Sequence, residues 1–182
     1  PKLTEQLLQQ AEQHAQEMQT QFKAYASRPF NVGYGRSTTL PARDGQEHGT
    51  IKRSARAPNN SFFTHWTKPE DSITWAIDVG TTGNYEAILY YTGAEGDEGA
   101  TLELSLSGGD SVRKKVVEPF DPPLYDKSKE RVPESHYFVK DFKPLSLGVL
   151  RLEKGTGQLR LGALDIKGRQ IVDVHSLVLN LQ

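Results

Sequence analysis

The chain contains no cysteine and only one methionine among its 182 residues. The absence of cysteine excludes disulfide bridges, thiolate metal sites and cysteine nucleophiles, although it leaves the cellular compartment open. A surplus of either charge is also absent, because 22 basic residues face 23 acidic ones and the net charge is −1. This balance argues against a nucleic-acid-binding protein, which needs a clear basic excess.

Long apolar runs are missing as well. No stretch approaches the roughly 20 apolar residues that a membrane-spanning helix requires, and no signal peptide begins the chain. We therefore expect neither a membrane nor a nucleic acid as a partner, and the opening Pro1 suggests a trimmed or excised segment. The length is sufficient for one ordinary hydrophobic core, so we expect one domain plus an appendage.

Residues 1–27 predict one long amphipathic α-helix. Apolar and aromatic side chains recur there at spacings of four and three, and neither glycine nor proline occurs within residues 2–26. Pro29 ends the helix, because the residue before a proline is pushed out of helical geometry. We expect the apolar stripe to be buried, either against the rest of the chain or against the surface of a partner. Its members are Leu3, Leu7, Ala11, His14, Met18, Phe22 and Tyr25.

Beyond the helix the pattern is that of a β protein. Residues 28–72 are rich in glycine and proline, and we interpret them as an irregular segment with short strands near 50–56 and 61–66, packed on the sandwich. From residue 73 onward apolar and polar side chains alternate, which is typical of strands with one buried face. The expected strands are 73–79, 85–92, 101–107, 112–118, 149–152, 158–163 and 171–181, the last with a bulge where its alternation changes phase.

Turn residues separate these strands. We interpret the glycine-containing segment 82–84 as the turn before a return strand, and segment 155–157 as the turn of a late hairpin. Because no second helical period lies between the strands, we expect an antiparallel β-sandwich over 73–182 instead of a parallel α/β sheet. The longest irregular connection, 119–144, has a length that is typical of a binding or packing feature.

A tryptophan-containing strand and the turn after it resemble a known fold family. The sequence WAIDV at 75–79, followed by GNYEA at 83–87, resembles the jelly rolls of carbohydrate-binding modules in families 6 and 35. The resemblance implies a mainly β, galactose-binding-like sandwich. In such folds a structural calcium often lies between an early and a late acidic residue, and the nearest positions here are Asp44, or Glu47, and Asp173. Capping, or pairing of Asp173 with a neighbouring arginine, is the alternative; we expect no other cofactor.

A second resemblance covers almost the whole chain. It rests on RPFNVGY at 28–34, LPARDG at 40–45, IKRSARAPN at 51–59, DPPLY at 121–125 and VKDFKPL at 139–145. These motifs resemble the C-terminal accessory region of secreted bacterial sulfatases of the arylsulfatase type, in which a helix leads into a β-sandwich. The resemblance implies a domain that packs on the catalytic sulfatase domain of the same parent chain, in a secreted or periplasmic protein.

Catalytic residues of that enzyme class are not expected in this chain. Sulfatases need a Cys or Ser in a C/S-x-P-x-R context, and the segment starting at Ser27 comes near it, but Asn31 stands where the arginine is required. The acidic loop 93–99 we interpret as a solvated turn. A small stand-alone enzyme that uses the acids of the 119–144 connection is a further hypothesis.

Exposed aromatic side chains would decide whether the domain binds carbohydrate, because sugar rings stack on them. We expect Trp75 in the core, whereas Trp66 is either at the core rim or a stacking platform. Tyr34 and Tyr125, in glycine- and proline-rich stretches, are the most plausible exposed rings. Arg56 is a candidate to face sulfate groups, although basic side chains of such runs also simply point to solvent. A stand-alone module for sulfated polysaccharide is therefore the alternative function.

Overall fold

The computed structural model describes residues 2–26, 28–56, 61–126, 128 and 139–182. One helix, α1 (Lys2–Ala26), opens this part of the chain, as the periodicity predicts. Twelve strands follow within the described residues, with a short 3-10 turn at Ala42–Asp44. The strands are β1 (Phe30–Val32), β2 (Ser37–Pro41), β3 (Gln46–His48), β4 (Lys52–Arg53), β5 (Phe63–Thr64), β6 (Ser72–Val79), β7 (Gly83–Thr92), β8 (Thr101–Leu106), β9 (Ser111–Lys115), β10 (Lys143–Leu152), β11 (Gly155–Ala163) and β12 (Asp173–Leu181).

The strands form two sheets that enclose one apolar core. The first sheet has the order β1-β6-β11-β8-β9, with β3 also paired to β6, and the second has the order β10-β7-β12-β5-β4, with β2 also paired to β12. This arrangement confirms the β-sandwich that the alternation predicts. All strand pairs formed within residues 73–182 are antiparallel, as predicted, and the one parallel pair of the described strands joins β1, from segment 28–72, to β6.

Two of the predicted hairpins are wrong. Consecutive strands β6 and β7 lie in different sheets, and so do β10 and β11. The turn segments between them therefore carry the chain from one layer to the other. Alternation within a strand predicts which of its side chains are buried. Because both sheets bury one face against the same core, the alternation does not predict to which sheet a strand belongs. The β8–β9 hairpin is a true one, with Thr101 opposite Lys115.

The last strand contains the predicted bulge. The pairing of β12 with β7 shifts in register between Val174 and Ser176, which leaves His175 as the extra residue. The shift brings Val174, before the bulge, and Leu177, after it, into the same core. The change of phase in the sequence therefore marks a real irregularity of the sheet.

The segment 28–72 contributes strands to both sheets. Strands β4 and β5 lie where the sequence predicts short strands, and β1, β2 and β3 are further strands that its pattern does not show. Strands β1 and β3 have only three residues, which is too short to display a period of two, and β2 has five residues but only one buried side chain, that of Leu40. Each of them is stabilised by pairing with a long central strand, β6 or β12.

Trp75 lies in the core, as predicted. Its indole Nε1 donates a hydrogen bond to the carbonyl of Pro41 at 3.0 Å, so its polar atom is satisfied although the ring is buried. Gly45 packs directly against this ring, and a Cβ atom added there would lie 2.7 Å from Nε1. The close approach explains why this position in the turn after Asp44 needs a glycine.

The apolar stripe of α1 is not covered by the described part of the sandwich. Its large apolar side chains remain exposed to solvent. The helix is nevertheless too polar to cross a bilayer, and no other helix of the described residues is apolar enough to do so. The exposed large members are Leu3, Leu7, Met18 and Phe22, and Leu8, outside the stripe, is exposed as well.

We predict that Leu177→Ala lowers the free energy of unfolding by about 2–5 kcal/mol, because it leaves a cavity between the sheets. The matched control is Leu164→Ala, which removes the same atoms from an exposed side chain and should change stability by about 0.5 kcal/mol or less. Urea denaturation of both variants measures the difference. Equal losses would contradict the assignment of Leu177 to the core.

Candidate functional site

An open cleft of about 340 Å³ lies beside the point where β7 ends and β10 begins. Its wall combines apolar side chains with hydroxyls and charged groups, which is the usual composition of a ligand pocket. Described residues of the long connection between β9 and β10 supply one part of the wall, and Ser54, Phe62 and Thr64 together with Asp173 of β12 supply the rest. The described lining residues are Ser54, Phe62, Thr64, Asp121, Pro122, Leu124, Lys140 and Asp173.

Backbone hydrogen bonds hold the long connection against the end of the sandwich. Phe120 and Gly93 exchange two of them, each 2.9 Å long. Farther along, the amide of Tyr125 donates to the carbonyl of Val139 at 2.8 Å, which joins the two described ends of the connection. Residues 127 and 129–138 lie outside the described residues. The part that can be described supports the interpretation of this connection as a binding or packing feature.

A buried ion pair lies at the base of this wall. Lys140 Nζ lies 2.8 Å from Asp173 Oδ2 and 3.4 Å from Asp121 Oδ1. The side chains of Lys140 and Asp173 are only 8% and 10% exposed, whereas that of Asp121 is 53% exposed. The ammonium also lies 5.0 Å from the ring centroid of Phe62, within the range of a cation–π interaction. Lys140 thus joins the long connection to β12.

One carboxylate oxygen of this cluster is unsatisfied. Asp173 Oδ2 accepts from Lys140 and, at 3.3 Å, from the hydroxyl of Thr92. Asp173 Oδ1 is buried and accepts no hydrogen bond from the described residues. A buried acceptor without a donor costs free energy, so such a group calls for an explanation.

Aromatic packing supports the same region from within. Phe142 contacts Phe62 edge to face, with ring centroids 5.3 Å apart, and lies 4.8 Å from the ring of His175. Burial lowers the pKa of His175, and the positive charge of Arg43 lowers it further. His175 Nδ1 lies 3.2 Å from the hydroxyl of Ser176. The ring is therefore a neutral, hydrogen-bonded packing group.

Two tyrosines carry exposed rings, as their glycine- and proline-rich surroundings predict. Tyr34 is 67% exposed and Tyr125 is 52% exposed. Each hydroxyl donates to a carboxylate: Tyr34 to Asp78 at 3.2 Å, and Tyr125 to Asp141. The negative charge of Asp78 raises the pKa of Tyr34, and the hydrogen bond to Asp141 raises the pKa of Tyr125. Both rings are thus anchored at one end and open to solvent.

These tyrosines do not form one site. Tyr34 lies against Gly80, where an added Cβ atom would approach its ring to 2.7 Å, just before β7 begins. Tyr125 follows the bridge of Phe120 to Gly93, just after β7 ends. Because β7 has ten residues, the segments that carry the two rings are attached at opposite ends of a strand about 30 Å long. Tyr125 directly follows Leu124, which lines the cleft, but Tyr125 itself is not among the described lining residues.

Trp66 is not the stacking platform that the sequence left open. It is only 1% exposed, and its Nε1 donates to the carbonyl of Lys68 at 3.1 Å. Its position after two phenylalanines is compatible with a buried tryptophan and with an exposed one. Only the tertiary packing decides between these two alternatives. Arg56 is exposed two residues beyond Ser54, but it is not among the described lining residues of the cleft.

The two acids proposed for a calcium site are not brought together. Asp44 lines a different cavity, of about 440 Å³, beside Trp75 and pairs with Arg43 at 3.7 Å. Asp173 holds the ammonium of Lys140, not the neighbouring arginine that was the alternative. Within the described residues no three acidic or histidine side chains converge as metal ligands. Calcium binding by other residues stays a prediction.

Sequence reasoning missed Phe62, Lys140 and Asp121 as site residues. Asp121 and Lys140 both lie in the connection 119–144, so its unusual length was the available signal. Nothing in the local pattern indicates that a lysine at 140 contacts an aspartate 33 positions later. Burial of Phe62 beside that lysine likewise depends on contacts between distant segments.

Comparison with known proteins supports the fold assignment. No protein-family model matches the chain, and no curated protein matches it. Among solved structures it is similar to the GH26-CBM35 beta-(1,4)-mannanase of Podospora anserina, with a TM-score of 0.55, 15% identity, and coverage of 80% of this chain and 28% of the other. A family 35 carbohydrate binding module from Clostridium thermocellum gives a TM-score of 0.53 and 12% identity, over 80% and 98% of the two chains.

The likeness extends beyond carbohydrate-active proteins. The mosquito-larvicidal Cry4Aa toxin of Bacillus thuringiensis gives a TM-score of 0.59 at 12% identity, over 85% of this chain and 25% of the toxin. The chain thus spans about a quarter of the mannanase and of the toxin. Identities this low show the fold alone, and they confirm the predicted jelly roll of the carbohydrate-binding-module type. Ligand and activity must be argued from the site.

We predict that Lys140→Met lowers the free energy of unfolding by about 3–5 kcal/mol, because it leaves the buried carboxylate of Asp173 unpaired. The matched control is Lys143→Met, which breaks an ion pair with the exposed Glu118 and should cost about 1 kcal/mol or less. Adding Asp173→Asn to Lys140→Met should restore part of the loss. Equal effects of the two single variants in urea denaturation would contradict the burial of this pair.

A second prediction concerns acid stability. Because the pKa of His175 is lower in the folded state than in the unfolded chain, the unfolded state binds more protons as the pH falls below about 6.5. His175→Gln should therefore lose less stability than the wild type between about pH 7.5 and pH 5.5. His14→Gln, on the exposed helix, should follow the wild type. An unchanged slope in His175→Gln, measured by denaturation midpoints, would contradict the prediction.

Proposed function

We propose that this chain is a non-catalytic accessory domain that binds carbohydrate at the cleft beside Tyr125. The observation that carries the proposal is the combination of an exposed, anchored ring, that of Tyr125, with an open cleft that has both apolar and hydrogen-bonding walls. Tyr125 directly follows Leu124, which lines this cleft. Similarity of fold to a family 35 carbohydrate binding module supports the same conclusion.

The chemistry of the cleft suits a sugar. A sugar ring presents a C–H face that stacks on an aromatic side chain, and its hydroxyls need nearby polar partners. The hydrogen bond to Asp141 fixes the orientation of Tyr125, so little side-chain entropy is lost on binding. Pro122 and Leu124 offer apolar contact, while Ser54 and Thr64 offer hydroxyls at the opposite wall.

Catalysis is not part of the proposal, although two carboxylates, Asp121 and Asp173, line the cleft. A glycoside hydrolase needs space between its two carboxylates for the glycosidic bond or a water molecule. Here Lys140 Nζ occupies the gap, at 2.8 Å and 3.4 Å from the two groups. The sulfatase-type motif is incomplete at Asn31, and its Ser27 lies outside the described residues. We expect no turnover of sulfate esters or glycosides.

The parent enzyme is proposed from the sequence motifs. They favour a sulfatase-type hydrolase, and the exposed apolar stripe of α1 offers a surface on which its catalytic domain would pack. A domain of this kind binds polysaccharide outside the cytoplasm, so we propose a secreted or periplasmic location. A stand-alone module would need neither the stripe nor a catalytic partner.

We predict that Tyr125→Ala weakens binding to a retained polysaccharide by about tenfold or more, because stacking worth about 1.4 kcal/mol is lost. Affinity electrophoresis through gels that contain single polysaccharides measures the retention. Tyr34→Ala is the matched control, since it removes an equally anchored ring from a segment attached at the other end of β7 and should retain wild-type affinity.

The outcomes separate the alternatives. Loss of retention in Tyr34→Ala alone would move the site to the opposite end of the sandwich. Absence of retention of the wild type on every polysaccharide would contradict carbohydrate binding and leave only the docking role of α1. Measurable turnover by the isolated chain would contradict the non-catalytic assignment.

A further inference from the structure

We propose that the cleft selects neutral, hydroxyl-rich glycans and discriminates against sulfated or carboxylated ones. This inference rests on the proposed function and specifies its ligand class. It reverses the expectation from the sequence, in which basic side chains such as Arg56 would face sulfate groups. Two features of the cleft carry it: the charge of its wall and the exposed carboxylate of Asp121, which accepts hydrogen bonds.

Charge disfavours an anionic ligand. The described lining residues include one cation, Lys140, and two carboxylates, Asp121 and Asp173. Lys140 is only 8% exposed and contacts both carboxylates, so its charge is already compensated within the wall. A sulfate or carboxylate that entered the cleft would meet the half-exposed carboxylate of Asp121 without a free cation among the described lining residues. Like charges at such distances repel.

The hydrogen-bonding groups lead to the same ligand class. Two of the three N–H donors of Lys140 are directed to Asp121 and Asp173. The accessible carboxylate of the wall is that of Asp121, which is 53% exposed and has only this weak contact at 3.4 Å among the described residues, whereas Asp173 Oδ1 is buried. Sulfate and carboxylate groups are acceptors only, whereas each sugar hydroxyl can donate. Asp121 therefore matches a hydroxyl group of the ligand.

The adjoining cavity adds one exposed cation and one buried carboxylate. Asp121 also lines a second cavity of about 410 Å³, together with Asp97 and Arg169. Asp97 is buried, and its Oδ1 accepts the backbone amide of Arg169 at 2.6 Å. The second cavity thus adds one carboxylate and one cation. Over both cavities the described lining carries two cations and three carboxylates, a net charge of −1.

The test uses matched pairs of polysaccharides. A neutral galactan, mannan and glucan are each compared with their chemically sulfated forms in affinity electrophoresis at roughly physiological salt, where screening acts over about 8 Å. We expect the wild type to be retained at least about tenfold more strongly by the neutral member of the pair that it binds. Glycosidic linkage and sugar identity are the same within each pair, so only charge and donor content differ.

Charge variants assign the selectivity to the cleft. Asp121→Asn should lower the ratio of retention by the neutral polysaccharide to retention by its sulfated form. Asp121→Lys should lower this ratio further or invert it, because the cleft becomes positive. The matched control is Asp110→Lys, which makes the same change in net charge at the exposed turn between β8 and β9. This control should keep the wild-type ratio. Circular dichroism of each variant checks that the fold is retained.

Each result has a defined meaning. Stronger retention of the wild type by a sulfated form would overturn the neutral selectivity but leave carbohydrate binding standing. Absence of retention on both members of every pair would overturn the proposed function itself, and this inference with it. If Asp121→Lys and Asp110→Lys changed the neutral-to-sulfated retention ratio equally, or if neither changed it, the assignment of the selectivity to the cleft would be overturned.

Discussion

The walls of the cleft are held together by the buried contact between Lys140 and Asp173. One residue belongs to the long connection and the other begins β12, so the pair joins an irregular segment to the centre of a sheet. A buried ion pair is favourable only when both partners are present and well placed, and removal of either leaves an uncompensated charge. In this pair the ammonium of Lys140 is bound to a carboxylate of the protein, so it is not available to an anionic ligand. Stability of the wall and choice of ligand therefore depend on one interaction.

The two ends of the sandwich are alike in one respect and different in another. Each end carries an exposed tyrosine whose hydroxyl is fixed by an aspartate, Tyr34 by Asp78 and Tyr125 by Asp141. Tyr125 directly follows Leu124, which lines a cleft with mixed apolar and polar walls, whereas Tyr34 lies over Gly80. An aromatic ring gives stacking energy but little selectivity, and the groups around it supply the rest. The surroundings of Tyr125 therefore favour it as the binding residue.

Local patterns predicted most of the fold. The stripe of α1, the alternation from residue 73 and the phase change in β12 each correspond to an element of the structure. The errors concern which distant elements meet: the connections 80–82 and 153–154 cross between the sheets, whereas the sequence predicts hairpins there. Of the proposed site residues, Asp173 lines the cleft in another role, the exposed Tyr125 directly follows the lining residue Leu124, and Trp66 is buried.

The sequence by itself determined the class of fold and the chemistry that is excluded. Periodicity is a property of neighbouring residues, and the absence of cysteine is a property of composition, so neither requires knowledge of the packing. The tertiary structure alone decided that Lys140 pairs with Asp173, 33 positions away, and that Phe62 lies beside them. It also decided that Tyr34 and Tyr125 lie at opposite ends. The physical reason is that a cleft is made by contacts between segments distant in sequence, and these depend on the topology of both sheets.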